Sequence, residues 1–407
     1  MVSLSEILTK IDGSADEMVR VMTEMIRIPA LAPVNGGDGE SKKADYLQSE
    51  LVGFDSIVRV DVPDDVDPSV MRSNILAKKN GRKPGTVWII AHMDVVPAGD
   101  PEMWDNPPFE PVFKDGKIYG RGTEDNGQSI ISSMFASKFF ESGELDGMSI
   151  GVAYVADEET TSKMGIEYLL DHGYFSEDDF IMVPDWGSPN GSMVEVAEKN
   201  VLWLRFEVEG KTTHGSTPDE GINAFRVSTL LLTDLMKVFE ERFSMEDPLF
   251  LPPRSTFEPT KRPSTVDNIN TIPGYDEFFM DIRLLPSYSI EDVIAVAEEI
   301  SSMHAERTGA RIKVVEVQRH TSGKPSSIDT ERFHVMCESV ESITGNIPRA
   351  IGVGGGTCAN FFRERGFDAY VWQCGGGTLH APNEYALLDN IMVDAKVFAT
   401  IYYRLCR

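Results

Sequence analysis

The chain has 407 residues, 41% apolar and 25% charged, which suits two or three folded domains and excludes a collagen-like, coiled-coil or disordered chain. Lys and Arg number 38 against 65 Asp and Glu, a formal charge of −27 that repels phosphate backbones and disfavours nucleic-acid binding or docking on anionic membranes. The longest apolar stretches, such as Val87–Ala91 and Val152–Ala156, fall far short of a membrane span, and Glu6, Asp12, Asp16 and Glu17 interrupt any signal-peptide core. Four cysteines, none spaced as C-x-x-C, give no support to a zinc ribbon or disulfide scaffold and fit a reducing, cytoplasmic setting.

Met18, Val21, Met22, Met25 and Ile26 recur at helical spacing and predict an amphipathic helix that Pro29 ends; a second helix is expected over Lys42–Val52. The runs Thr86–Ala91, Ser149–Ala156, Phe180–Val183 and Ala369–Gln373 are apolar on both faces, as in buried strands of a mainly parallel sheet. The helical pattern near Gln128–Phe140 supplies a crossover. In such sheets chemistry gathers beyond the carboxyl ends of the strands, where the histidines and acidic residues of this chain fall.

From about Asn200 the pattern changes to alternation. Leu202, Leu204, Phe206 and Val208 share one face of a strand over Val201–Glu209. A helix over Ile222–Phe243 carries Phe225, Leu230, Leu231, Leu235 and Phe239, and a Pro-rich loop leads to an expected strand at Ser264–Ile272. After the Pro273-Gly274 turn come a strand at Glu277–Leu284, a helix capped by Ser289, and a closing strand at Arg311–Val317. The order β-α-β-β-α-β is a ferredoxin-like split motif. The expectation is an inserted α+β domain over 200–318, with 1–199 and 319–407 forming one discontinuous α/β domain.

Five segments carry candidate chemistry: His92-Met93-Asp94-Val95-Val96-Pro97, Gly120-Arg121-Gly122-Thr123-Glu124-Asp125, Asp157-Glu158-Glu159, Asp185, and His380-Ala381-Pro382-Asn383-Glu384. Taken singly, a strand-end His or Asp is more often a turn former or cap than a ligand. The spaced set is far more specific. Two like-charged cations about 3.5–4 Å apart need a neutral imidazole each and a bridging carboxylate, and mixed nitrogen and oxygen donors without thiolate suit zinc, with cobalt or manganese as alternatives.

These strings resemble the dinuclear-zinc amidohydrolases that include carboxypeptidase G, succinyl-diaminopimelate desuccinylase, acetylornithine deacetylase, aminoacylase and carnosinase-type dipeptidases. The resemblance spans nearly the whole chain. It implies a zinc-peptidase-like sheet domain with an inserted lid that also forms a homodimer. It implies that His92, Asp125 and Asp185 hold one zinc, that Asp125, Glu159 and His380 hold the other, and that Glu158 is the general base. Asp94 would take the free nitrogen of His92 and fix its tautomer. In the insert, His214 within Gly210–Pro218 would stabilise the oxyanion in the active site of a partner subunit, and Asn270 and Arg283 would bind a substrate carboxylate. Arg283 lies opposite the apolar stripe of its strand, so the periodicity leaves it free for that purpose or for a surface ion pair.

Gly352, Gly354, Gly355 and Gly356, ahead of Thr357, suit either a backbone that substrate approaches, with Gly355, Gly356 and Thr357 as binding residues, or a plain turn. Two departures bear on substrate: Gly127 stands where many relatives have Lys, and Cys358 where an acidic residue is common. Gly210-Lys211-Thr212 and the 352–356 glycines fail the P-loop and dinucleotide patterns, because Arg205 and Thr357 occupy required glycine positions. His172, His304, His320 and His334 read as structural, and the Met-rich N-terminal helix as core packing. The expected activity is metal-dependent hydrolysis of an amide in an N-acyl amino acid or small carboxylate-bearing peptide. A non-catalytic binding protein on the same fold, or a related dipeptidase or aminopeptidase, are the rivals.

Overall fold

The computed structural model describes residues 2–407, which divide into two compact units: 2–196 with Pro325–Ala350 and Thr357–Arg407, and Ala197–Lys324 with Ile351–Gly356. In the first unit a six-stranded sheet runs in the order Ser56–Pro63, Met71–Lys79, Ser149–Val155, Thr86–His92, Phe180–Met182, Ala369–Tyr370. The last four strands pair in parallel, and every residue of Thr86–His92 and Ser149–Val155 is buried, as runs apolar on both faces require. The first two strands add an antiparallel margin that the sequence pattern does not announce. The reason is compositional: Met71–Lys79 buries Arg72, Ser73, Asn74 and Lys79, so no apolar run marks it.

The helix Ala15–Ile26 buries the methionine stripe Met18, Met22 and Met25, and a separate helix, Leu4–Asp12, precedes it. Gln128–Lys138 is buried along all but its last residue and packs on the C-terminal helix Leu388–Cys406. Its serines bond back to main-chain carbonyls one turn earlier, Ser132 to Gln128 and Ser133 to Ile130, so a polar sequence can sit in the core.

The second unit orders its sheet Thr256–Lys261, Tyr275–Leu284, Asn200–Glu209, Arg311–His320, antiparallel throughout. Leu202, Leu204, Phe206 and Val208 form one core with Phe278, Met280, Ile282 and Leu284 and with the helices Ala224–Arg242 and Ile290–Thr308. Ser289 caps the second helix by accepting the amide of Asp292 at 3.2 Å. Two expectations are corrected. Of the strand expected at Ser264–Ile272 only Thr271–Ile272 forms, pairing with Thr213–His214, and the four-stranded sheet takes Thr256–Lys261 instead, inside the Pro-rich stretch; it is an edge strand with a register shift after Pro259, the setting in which a missing N–H is tolerated. Phe225 and Leu230 are exposed, because the buried stripe runs through Ala224, Val227, Leu231, Leu235 and Phe239.

Candidate metal centre

His92 ends its buried strand, and the turn after Ser149–Val155 delivers Asp157, Glu158 and Glu159 beside it. The Asp125 carboxylate lies between two imidazoles. Its Oδ1 is 2.8 Å from Nε2 of His92, and its Oδ2 is 3.0 Å from Nε2 of His380. Asp185 Oδ1 is 3.3 Å from Nε2 of His92, and Glu159 Oε2 is 3.2 Å from Nε2 of His380. Two three-residue groups therefore share one member, His92–Asp125–Asp185 and Asp125–Glu159–His380, each with ligand atoms within 4.8 Å of one another. Glu158 Oε2 stands 4.0 Å from Nε2 of His92, close to the first group but outside both.

The electrostatics describe a buried excess of negative charge. Four carboxylates, Asp125, Glu158, Glu159 and Asp185, crowd two imidazoles with side chains no more than 13% exposed, except for His380 at 56%. Burial pushes Glu158 well above the usual carboxylate range, with Asp185 and Glu159 adding repulsion, and raises Glu159 to about 7. Burial also works against Asp125, but its bonds to His380 and His92 outweigh that and hold it low. The same bonds, to Asp125 and Glu159, lift His380 to about 10. Buried like charges of this kind are costly unless cations compensate them, and a mixed imidazole–carboxylate set is the donor chemistry divalent ions take. The residues fit two metal ions.

Asp94 faces Nδ1 of His92 with both its main chain and its side chain. Nδ1 of His92 lies 3.0 Å from the main-chain carbonyl of Asp94 and 3.6 Å from its carboxylate, so the backbone rather than the side chain is the partner at hydrogen-bond distance. The carboxylate instead accepts the amides of Glu158 at 3.1 Å and Glu159 at 3.0 Å. It holds the turn that carries both.

Several supporting residues lie inside or beside the motifs without standing out by type. Glu384 accepts the amides of Gly122, Glu124 and Asp125 at 3.0–3.1 Å and Nη1 of Arg121 at 2.5 Å, pinning the loop of Asp125. In return Glu124 accepts the amides of Gly376, Gly377 and Thr378 at 2.6–2.7 Å, pinning the loop before His380. Asn126 donates to Pro184 O at 3.1 Å and to Asp185 Oδ1. Their place in or beside the motif strings is the signal the sequence carries for them. Gly127 has a steric explanation: a Cβ there would meet Gly122 O at 2.4 Å, so no lysine fits this backbone. Cys358 is buried, and burial followed by the nearby Glu158 raises its thiol well above the ordinary range.

The second unit places its candidates on or near its surface. His214 is exposed, with Nδ1 2.7 Å from Ser216 Oγ, and pairs through its strand with Thr271, next to Asn270; Asn270 O accepts the amide of Gly215 at 2.7 Å. Arg283 is not free: it forks onto Asp281 at 2.7 and 2.9 Å and donates Nη1 to Gly354 O at 2.8 Å. Gly355 is exposed with open space around it, and Gly356 lies near Glu198. Thr357, in the first unit, caps the helix Cys358–Glu364 by accepting the amide of Ala359 at 3.1 Å. His304 is structural, buried with Nε2 2.7 Å from Asp234.

A catalytic sheet domain with paired His–carboxylate groups defines the class of the metallohydrolases. Residues 88–404 match peptidase family M20/M25/M40. The chain is 34% identical over 404 residues to an uncharacterized metallohydrolase of Methanocaldococcus jannaschii, covering 95% of this chain and 98% of that one. It is 25% identical to the succinyl-diaminopimelate desuccinylase of Gluconacetobacter diazotrophicus, over 94% of this chain and 95% of that one. Human carnosine dipeptidase 1 has the same fold, with a TM-score of 0.74 at 18% identity over 100% of this chain and 99% of that one. The chain belongs to the M20/M25/M40 peptidase family and is a hydrolase of the metallohydrolase type.

Proposed function

We propose that the chain hydrolyses an amide bond beside a free carboxylate, in an N-acyl amino acid of the succinyl or acetyl type or in a small peptide. The observation that carries this reading is the Asp125 carboxylate set between His92 and His380, with Glu158 beside them. His92, Asp125 and Asp185 would hold one divalent ion and Asp125, Glu159 and His380 the other, zinc first by donor chemistry, cobalt or manganese next. Bound there, such ions lower the pKa of water and polarise a carbonyl. Glu158 takes the proton of the attacking water and returns it to the leaving nitrogen, a shuttle its place beside the two ligand groups but outside both suits. Asp94 holds the Glu158 and Glu159 amides, so that adjacent side chains keep separate tasks.

The insert, 200–318, would serve as lid and dimer contact, with His214 supplying the oxyanion donor to a partner subunit and Arg283 and Asn270 contacting substrate; Gly355, Gly356 and Thr357, outside the insert, would be further substrate contacts. An Arg fork already shared with Asp281 and Gly354 is preorganised for that purpose. The acyl amino acid arm is favoured over the dipeptide arm by the sequence likeness to desuccinylases and to an acetylornithine deacetylase. Four free cysteines fit a cytoplasmic setting, and among the described residues no helix is long and apolar enough to cross a membrane.

The test is a panel of N-succinyl and N-acetyl amino acids against unblocked dipeptides, run with zinc, cobalt and manganese. Glu158→Ala is expected to keep its metal content and lose about 10²–10⁴ in kcat on the best substrate. Turnover unchanged in that variant would remove Glu158 from its role.

A further inference from the structure

Beneath the turn of Glu158 and Glu159 lies a buried guanidinium that no motif contains. Arg72 is 1% exposed and spends its N–H groups on three carboxylates. Nε and Nη2 fork onto Glu40 at 2.6–3.0 Å, and Nη1 reaches Asp64 at 2.9 Å and Asp157 at 3.1 Å. Nη2 is also 3.9 Å from Asp94.

Each of these partners but Asp64 grips the same turn. Glu40 Oε1 accepts the amide of Asp157 at 3.3 Å, and Asp94 accepts those of Glu158 and Glu159. The Asp157 carboxylate gathers the turn around itself, accepting from Thr160 Oγ1, from Thr161 Oγ1 at 2.7 Å and from Met164 N at 3.2 Å. Asp157 has φ 67°, a left-handed backbone that is strained for a non-glycine residue and persists only where surroundings enforce it.

Strand register explains how the arginine arrives there. Met71–Lys79 pairs antiparallel with Ser149–Val155, Ile75 opposite Tyr154, and continuing that register puts Arg72 opposite Asp157. Asn74, on the same strand face by the period of two, accepts the amide of Ala156 at 3.0 Å and donates to Met164 O at 2.9 Å. One strand edge thus clamps the turn at both ends.

We propose that Arg72 is a positioning residue for the 157–159 turn: it fixes where Glu158 and Glu159 point while touching neither. This rests on the reading of Glu158 as base and Glu159 as metal ligand. Lys at this position keeps a charge but cannot fork onto Glu40 and reach Asp157 together. Unpairing several buried acids can also unfold the chain, so Glu40→Gln, which keeps size and an acceptor for the Asp157 amide, serves as the milder second variant.

The experiment takes the full chain with cobalt and measures binding isotherms, kcat and KM, and hydrogen exchange over 157–164 in the metal-free protein. Arg72→Lys is expected to speed exchange of the 157–164 amides at least tenfold, weaken cobalt binding about tenfold, and lower kcat at least tenfold with KM within threefold. Glu40→Gln should shift each readout the same way by less, and it decides the matter if Arg72→Lys does not fold. Wild-type exchange and cobalt binding in a folded variant would overturn the proposal. A wild-type chain that hydrolyses nothing in the panel, with exchange still raised in Arg72→Lys, would overturn the hydrolase reading and leave the positioning role standing.

Discussion

The two units treat their candidate residues in opposite ways. In the first, His92, Asp125, Glu158, Glu159 and Asp185 are largely buried and face one another, and Glu384, Glu124, Asp94 and Asn126 hold their loops through backbone amides or direct bonds. In the second, His214 is exposed and rests on Ser216, and Arg283 is partly exposed and engaged by Asp281 and Gly354. A buried cluster of like charges exists only because neighbours enforce it, so its geometry is itself an argument for cations. An exposed histidine needs no such enforcement.

The largest expected effect outside the Glu158 variant comes from the exposed side of this contrast. His214→Ala should lower kcat about 10²–10³, the usual consequence of losing one oxyanion donor, with thermal stability little changed. A kcat equal to wild type would show that His214 contributes nothing to the reaction, and the second unit would be left with substrate binding alone.

Glu384→Gln tests the enforced side. One of its oxygens becomes an N–H, which cannot accept from Gly122 or from Glu124 and Asp125, so the Asp125 loop loosens. Metal affinity should fall about 10–100-fold, read by cobalt titration. An unchanged isotherm would mean that the loop keeps its shape without this carboxylate.

Arg283→Gln should raise KM about tenfold with kcat less affected, because a charge-assisted bond to a substrate carboxylate is lost in ground and transition states alike. Equal KM values on carboxylate-bearing and amidated substrates in the wild type would place the carboxylate contact elsewhere. The effect that leaves the reaction itself untouched concerns a buried cation remote from the site. Burial lowers Lys79 to about 8 while it donates to Ser137 O and Phe140 O. Between pH 8 and 10.5 the unfolded chain then binds more protons at this residue than the folded one, so its penalty is relieved as pH rises. The stability of the wild type relative to Lys79→Met should therefore increase across that window, by up to about 3 kcal/mol. Urea midpoints that keep a constant difference from pH 7.5 to 10 would contradict it.

What could be read before folding was decided by local rules. Runs apolar on both faces marked the parallel strands, period-two alternation marked Asn200–Glu209 and Tyr275–Leu284, and the five short strings contained the residues that the structure gathers. What escaped was polar and long-range. Met71–Lys79 hides its strand behind Arg72, Ser73 and Asn74, whose burial makes sense only once Glu40 and Asp157 meet Arg72, Asp61 meets Ser73, and the Ala156 amide and Met164 O meet Asn74. Asp94 shares its motif with His92, yet its carboxylate serves residues more than sixty positions away.

The chain by itself determined the strand and helix alphabet, the acidic balance and the family strings, because propensity and periodicity depend on neighbours in sequence. Only the tertiary structure decided which carboxylate faces which imidazole, which acids stay behind as supports, and that Arg283 is already engaged. Hydrogen bonds and buried charges depend on partners brought together across the fold, and no local pattern names those partners.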